Sequence, residues 1–322
     1  MRTRIAAGRF ACGWLVLLLA ACSAPPANAL RLGSTLWTYQ GTSSVFTAAW
    51  SPGGKYLALG EADGTMQVRD AVTGTLTFSM YGHTGAVWAL AWSPDGKRLA
   101  SASWDATVRV WDTATGHLLL TYRDHTGEVL AVAWSPDSRH IASAGSDGTV
   151  QVWDAATDQH ILTYRGHTNT VAALAWSPDG TRLASASFDH TVQVWDASTG
   201  EHAFTYRGHT SYVWTLAWSP DGTRIASGGT DGTVQVWSPT TGKRLVTYRG
   251  HTNGVQAVAW SPDGTRIASA SWDTTVHVWE ATTGRRVFTY RGHSSIVGAL
   301  AWSPNGERIV SVADDVRVWQ AS

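Results

Sequence analysis

The tripeptide Trp-Ser-Pro recurs with its Trp at positions 50, 92, 134, 176, 218, 260 and 302, every interval being 42 residues. A second Trp keeps the same interval at Trp111, Trp153, Trp195, Trp237 and Trp279, and returns once more at Trp319. Seven near-copies without drift mean one supersecondary unit repeated and stacked, because a unit of about 40 residues cannot bury its apolar faces alone. From about residue 34 onward the chain is entirely repeat.

Each unit reads as four short strands. Val-x-Ala-Leu-Ala-Trp is an apolar run, and the Ser-Pro-Asp-Gly after it puts Pro and Gly where a tight turn needs them. Arg-Leu-Ala-Ser-Ala-Ser follows, then a turn such as Asp147-Gly148, then Thr-Val-Gln-Val-Trp with an alternation of two. A Thr-Gly turn leads to a last strand ending in Thr-Tyr-Arg-Gly-His. No segment has a helical period, so the chain is expected to be all-β.

The repeat is similar to the WD-repeat family: Gly-His near its start, Asp in the middle turn and Trp-Asp at its end match that signature. The resemblance implies a closed seven-bladed β-propeller over residues 34–322, with four antiparallel strands per blade. The chain opens on Leu36-Trp37-Thr38-Tyr39, which reads like the fourth strand of the other units, and ends at Trp319-Gln320-Ala321-Ser322, where a fourth strand is missing. The N-terminal strand is therefore expected to complete the seventh blade.

Four polar residues fall at fixed offsets in five units: His83, Ser101, Asp105, Trp111; His125, Ser143, Asp147, Trp153; His167, Ser185, Asp189, Trp195; His209, Ser227, Asp231, Trp237; and His251, Ser269, Asp273, Trp279. The resemblance implies structural tetrads, each a hydrogen-bonded chain within its blade. A Ser, His and Asp set suggests hydrolysis, but a catalytic constellation is built once and this one recurs with the scaffold Trp. No catalytic residue is expected. The units beside the closure depart from the pattern: the first lacks the His and carries Leu59 for Ser and Arg69 for Trp, and the last is two residues shorter around Asp314-Asp315.

Positions that vary between near-copies are more informative for function. Of the 19 Trp, four are neither scaffold, leader nor closing strand: Trp88, Trp104, Trp214 and Trp272. They occupy two kinds of slot, after the loop Val or before the mid-turn Asp, which in one other unit each hold Phe46 and Phe188; Tyr212 is adjacent. The resemblance places these slots on the rim of the central channel, and large rigid aromatics suit a binding hot spot. Trp88, Trp104, Phe188, Tyr212, Trp214 and Trp272 are the expected partner-binding residues, against the alternative that they only pack between loops. The remaining histidines, His117, His140, His160, His190, His202 and His277, lack zinc-site spacing and are expected to be solvated. No metal and no cofactor is expected.

Residues 1–21 combine Arg2, Arg4 and Arg9 with an apolar run too short to span a bilayer, the layout of a secretory signal peptide. Leu19-Ala20-Ala21-Cys22 resembles the lipobox of bacterial lipoproteins, which implies lipidation of Cys22, a tether over 22–33 and an extracytoplasmic, membrane-anchored location. A soluble secreted protein cut after Ala29, or an uncleaved anchor, is the alternative. Loss of 1–21 leaves 21 basic against 24 acidic residues, which argues against nucleic acid. Cys12 leaves with the leader, so the folded body needs no disulfide. Together these readings describe a monomeric, non-catalytic scaffold for protein or peptide partners, attached to the membrane through lipid alone. The alternative is an enzyme, or a small-ligand or glycan binder, with its site at the channel mouth.

Overall fold

The computed structural model describes residues 31–157 and 159–322, and Leu32–Ser322 forms one compact unit. The expectations for residues 1–21 and for Cys22 lie outside the described residues. Strand β1 (Thr35–Tyr39) is followed by six four-stranded sheets: β2–β5 (45–80), β6–β9 (87–122), β10–β13 (129–164), β14–β17 (171–206), β18–β21 (213–248) and β22–β25 (255–290). Strands β26–β28 (299–320) make the seventh sheet with β1, in the order β1-β28-β27-β26. This is a closed seven-bladed β-propeller of antiparallel blades.

The closure lies where the missing fourth strand required it. Trp37 pairs with Val318, Thr38 with Arg317 and Tyr39 with Val316. Pairing continues outward, as Gly33 N–H donates to the Gln320 carbonyl at 2.7 Å and Gln320 N–H to Ser34 at 3.0 Å. Closing the ring this way leaves no unpaired inner end that would need a capping repeat.

Two repeated devices hold the blades together, the first all round the ring and the second at five of its seven interfaces. On the inner strands, each Trp of the Trp-Ser-Pro series donates its indole N–H to an Ala carbonyl of the preceding blade, at 3.0–3.3 Å, from Trp92 to Ala49 round to Trp302 to Ala259 and Trp50 to Ala301. Further out, the Tyr ending a fourth strand stacks on the third-strand Trp of the next blade. Tyr206 and Trp237 have centroids 4.3 Å apart and planes within 2°, and Tyr122–Trp153, Tyr164–Trp195, Tyr248–Trp279 and Tyr290–Trp319 repeat the arrangement. At the seam, Arg69 replaces the Trp and puts its guanidinium 3.6 Å from the Tyr39 ring centroid, so a cation–π contact stands in for the stack. The departure in the first unit keeps the interface by other chemistry.

The core is accordingly distributed. Seven apolar clusters lie between adjacent blades, with Trp153, Trp195, Trp237, Trp279 and Trp319 fully buried. The antiparallel order sends all Ser-Pro-Asp-Gly and Thr-Gly turns to one face of the disc. The Gly-His loops and the mid-blade Asp turns come to the other.

Candidate functional site

The five expected tetrads come together, and a sixth joins them. His Nδ1 lies 2.7–2.8 Å from the Asp carboxylate and Nε2 2.7–2.8 Å from Ser Oγ in all five. His293 makes the same contacts to Asp315 at 2.8 Å and Ser311 at 2.7 Å. The two residues absent from the last unit fall between Asp315 and Trp319, so His, Ser and Asp keep their offsets.

Where Ser Oγ accepts from the indole N–H, as Ser101 does from Trp111, its own O–H is left to donate to His Nε2, and Nδ1–H then donates to the Asp carboxylate. Burial pushes the Asp105 carboxyl up, but hydrogen bonds from His83 and Thr107 outweigh it and hold it below the usual range. The same balance, with Thr275 and His251 as donors, brings Asp273 down to about 2. Burial in turn pushes the His83, His251 and His293 imidazoles down against their carboxylates.

One link of the expected network is incomplete. The indole N–H of Trp111, Trp237, Trp279 and Trp319 reaches its Ser Oγ at 2.9–3.2 Å. Those of Trp153 and Trp195 are buried without an acceptor. All six Ser are fully buried, so no substrate carbonyl can approach these hydroxyls. The tetrads act as loop clamps.

The expectation that all remaining histidines are solvated fails at His277. It is 3 % exposed, stacks on His251 at 4.0 Å between centroids with planes 8° apart, and sits 2.8 Å from Tyr248 Oη through Nδ1. Burial, with the neighbouring His251 ring next in importance, lowers its pKa to about 3. Its slot holds Gln151, Gln193 and Gln235 in other blades, where the amide oxygen accepts from the same Tyr. The slot is covered on both sides, and residue type alone did not reveal that. His251, Asp273 and His277 gather nitrogen and carboxylate atoms within 4.8 Å. The rings are parallel, however, and their in-plane lone pairs do not converge on one point as a metal requires.

The variable aromatics gather on the Gly-His face as two clusters. Trp88 stacks on Trp104 at 5.2 Å, and Phe46 contacts both at 5.1 and 5.8 Å. On the other side Phe188 packs on Tyr212 at 4.8 Å and edge-on against Trp214 at 4.5 Å, and Trp214 meets Trp272 at 6.3 Å. Trp104 and Tyr212 are exposed at 41 % and 43 %; Trp88, Phe188, Trp214 and Trp272 are half-buried. Between the clusters, at the channel mouth, lies a cavity of about 500 Å³.

Trp88, Trp214 and Trp272 line this cavity, whereas Trp104, Phe188 and Tyr212 buttress them from behind. Phe46, Gln256, Ile296 and Asp314 line it as well, although they are not among the expected partner-binding residues. Ile296 is 51 % exposed and occupies the same repeat slot as Tyr212, so the comparison that found Tyr212 carries the signal for it too. Gln256 accepts from the Trp272 indole N–H at 2.7 Å, while the indole N–H of Trp214 is buried without an acceptor.

Comparison with known families agrees with this architecture. The family model described as WD domain, G-beta repeat, matches residues 33–70, 74–112, 242–280 and 284–319. A second, described as WDR90, 4th beta-propeller, matches residues 128–255. The first match, 33–70, runs from the closing strand into the first blade, so the family's unit is offset from the blade by one strand, as the closure demands. A search of curated proteins finds no match. Such propellers are in general platforms for protein interaction, typically without catalytic activity. On its repeats, its seven blades and these matches, the chain belongs to the WD-repeat β-propeller family.

Proposed function

We propose that this protein is a non-catalytic scaffold that captures a protein or peptide partner on the Gly-His face, with Trp88, Trp104, Phe188, Tyr212, Trp214 and Trp272 as the contact surface. The observation that carries the reading is the pair of aromatic clusters flanking one cavity. Rings held on a rigid rim supply contact area at low entropic cost. Phe46 and Ile296 extend that surface. The reading includes monomeric action and attachment to the extracytoplasmic side of a membrane through lipid on Cys22, supported by the lipobox-like Leu19-Ala20-Ala21-Cys22.

The test replaces Trp104, Trp214 and Trp272 with Ala and compares partner capture with that of the parent chain, alongside thermal melting. Capture lost while the variant still melts cooperatively as a folded chain supports the rim. Capture unchanged, or lost only together with the fold, refutes it. For the anchor, mass spectrometry of the mature N-terminus decides: an acylated Cys22 supports it, and a free chain starting at Leu30 refutes it.

A second reading follows from the cavity itself, since about 500 Å³ is the size of a small-molecule site. A glycan stacked on Trp88 or Trp214, with Gln256 and Asp314 as polar partners, suits the same surface. Glycan-array binding that disappears in the triple variant, with no protein partner captured, selects this reading over the first.

A further inference from the structure

On the face of the Ser-Pro-Asp-Gly turns, an arginine at one repeat position latches a blade to the next at several interfaces. The residue in question opens the second strand of a blade, or in the fifth blade directly precedes it: Tyr56, Arg98, His140, Arg182, Arg224, Arg266 and Arg308. Arg98 shows the latch in full. Its guanidinium carbon lies 4.5 Å from the ring centroid of Trp134 in the following blade, and the group donates to the carbonyls of Ser138 at 2.6 Å and Ala155 at 3.1 Å. Arg224 repeats the stack on Trp260 at 4.7 Å, and Arg266 reaches the carbonyl of Ala321.

The inner-strand Trp rings register whether the latch is present. Trp50, Trp134, Trp218, Trp260 and Trp302, each behind an Arg, are 6–9 % exposed. Trp92 and Trp176 alone are only half-buried, and they follow Tyr56 and His140. Tyr56 packs into the apolar cluster that contains Trp92. His140 is too short to do what Arg98 does. Between blades three and four lies a cavity of about 540 Å³, lined by Trp176, Gly180 and Ala197; at the equivalent places beside Arg266 and Arg308 the cavities are about 430 and 350 Å³. Trp176, Gly180 and Ala197 stand 42 residues beyond Trp134, Ser138 and Ala155, the partners of Arg98. Asp137, Asp179 and Asp196 ring the same cavity, and Ile161 supplies an apolar wall.

We propose that this slot binds the guanidinium of an arginine side chain from a partner protein, which takes between chains the place that Arg98 takes within its own. A planar guanidinium can lie flat on the Trp176 ring while its edge donates in that plane to two carbonyls, a geometry that a tetrahedral ammonium matches less well. The three carboxylates supply the complementary charge, and Ile161 gives the methylene stem an apolar surface. The volume beyond one guanidinium accommodates that stem. Because the neighbouring blades already hold the slot open, no rearrangement precedes binding. The site lies on the face opposite the aromatic rim and does not depend on the reading given above.

The test titrates the full chain with N-acetyl-arginine methylamide, followed by saturation-transfer NMR and calorimetry, with the lysine and citrulline counterparts as controls. The arginine probe binds at one per chain, and lysine and citrulline bind at least tenfold more weakly. His140→Arg fills the slot from within; it removes binding and leaves the melting temperature unchanged or higher. Arg98→Ala opens a second slot, and stoichiometry rises to two. The Trp104, Trp214 and Trp272 triple variant binds the probe as the parent does. Citrulline binding as well as arginine, a folded His140→Arg chain that still binds, stoichiometry fixed at one in Arg98→Ala, or loss of binding in the rim variant would each overturn the proposal.

Discussion

The indole N–H of Trp50 donates to the carbonyl of Ala301 at 3.2 Å, across 251 residues of sequence. It is the same bond that Trp218 makes to Ala175 in mid-ring, at 3.1 Å. The inner ring is thus continuous across the seam even though the outer strand there comes from the other end of the chain. Trp50→Phe and Trp218→Phe keep most of the ring area and lose one hydrogen bond, so each costs about 1–2 kcal/mol. Equal losses in urea unfolding show a uniform inner ring; a Trp50 effect several-fold larger shows that the seam limits stability.

The tetrads allow a sharper comparison. Ser101 Oγ serves both His83 and the Trp111 indole, whereas Ser143 Oγ serves His125 while the Trp153 N–H has no acceptor. Ser101→Ala strands two buried groups and Ser143→Ala strands one. The first is expected to cost about 1 kcal/mol more, since each lost partner leaves a desolvated polar group. Denaturant melts of both variants at one pH measure the difference, and equal losses contradict it.

Acid sensitivity has an identifiable source in the sixth blade. The ordinary His pKa of 6.5 falls to about 3 at His277, so the unfolded chain binds a proton there that the folded chain does not. Stability from this site is complete above about pH 6.5 and is lost as pH falls toward 3. His277→Gln restores the amide of the other blades, with Tyr248 still donating. The variant is expected to match the parent at pH 7.5 and exceed it by about 1–3 kcal/mol at pH 4.5. Parallel pH–stability curves for the two chains would contradict this. At lower pH both chains also lose the contribution of the tetrad aspartates, whose carboxyls are held below their ordinary range.

Glu61 behaves in the opposite sense. It is 1 % exposed and accepts from Tyr39 Oη at 3.2 Å, and burial raises its pKa above the model-peptide value of 4.5 against that hydrogen bond. A raised carboxyl pKa favours the folded state only at low pH, and that contribution disappears as pH rises through the folded value. Glu61→Gln keeps an acceptor for Tyr39 and is expected to stabilise by about 1 kcal/mol at pH 7, with no gain at pH 4. Thermal melts at the two pH values check it.

At the aromatic mouth, the two indoles that meet at 6.3 Å differ in their hydrogen bonding. Trp272→Phe leaves Gln256 without its donor, while Trp214→Phe removes an N–H that has no acceptor. The first is expected to be the more destabilising by about 1 kcal/mol. The reverse order in melting experiments contradicts the assignment.

The 42-residue interval made the strands, the blade count and the pairing of Thr35–Tyr39 with the last strand legible before any coordinates, because in-register repeats leave one way to close a ring. What was not legible depended on contacts between repeats. The sixth tetrad is obscured by the two-residue shortening around Asp314-Asp315, although the offsets from His293 to Ser311 and Asp315 are those of the other blades. His277 reads as a polar residue on an alternating strand. Its burial comes from cover on both sides, which comparison with Gln235 indicates and periodicity does not. The half-burial of Trp214 and of Trp176 depends on the neighbour, Phe188 in one place and His140, where other blades have arginine, in the other.

The ring begins and ends on a single side. Gly33 is bonded to Gln320, and Ala321 to the turn residue Glu307, so the chain leaves the disc among the Ser-Pro-Asp-Gly turns. Gly33 therefore meets the ring on the face opposite Trp104 and Tyr212. A support that held the disc itself at Gly33 and Ala321 would cover the side of the Trp176 slot and leave Trp104 and Tyr212 on the far one.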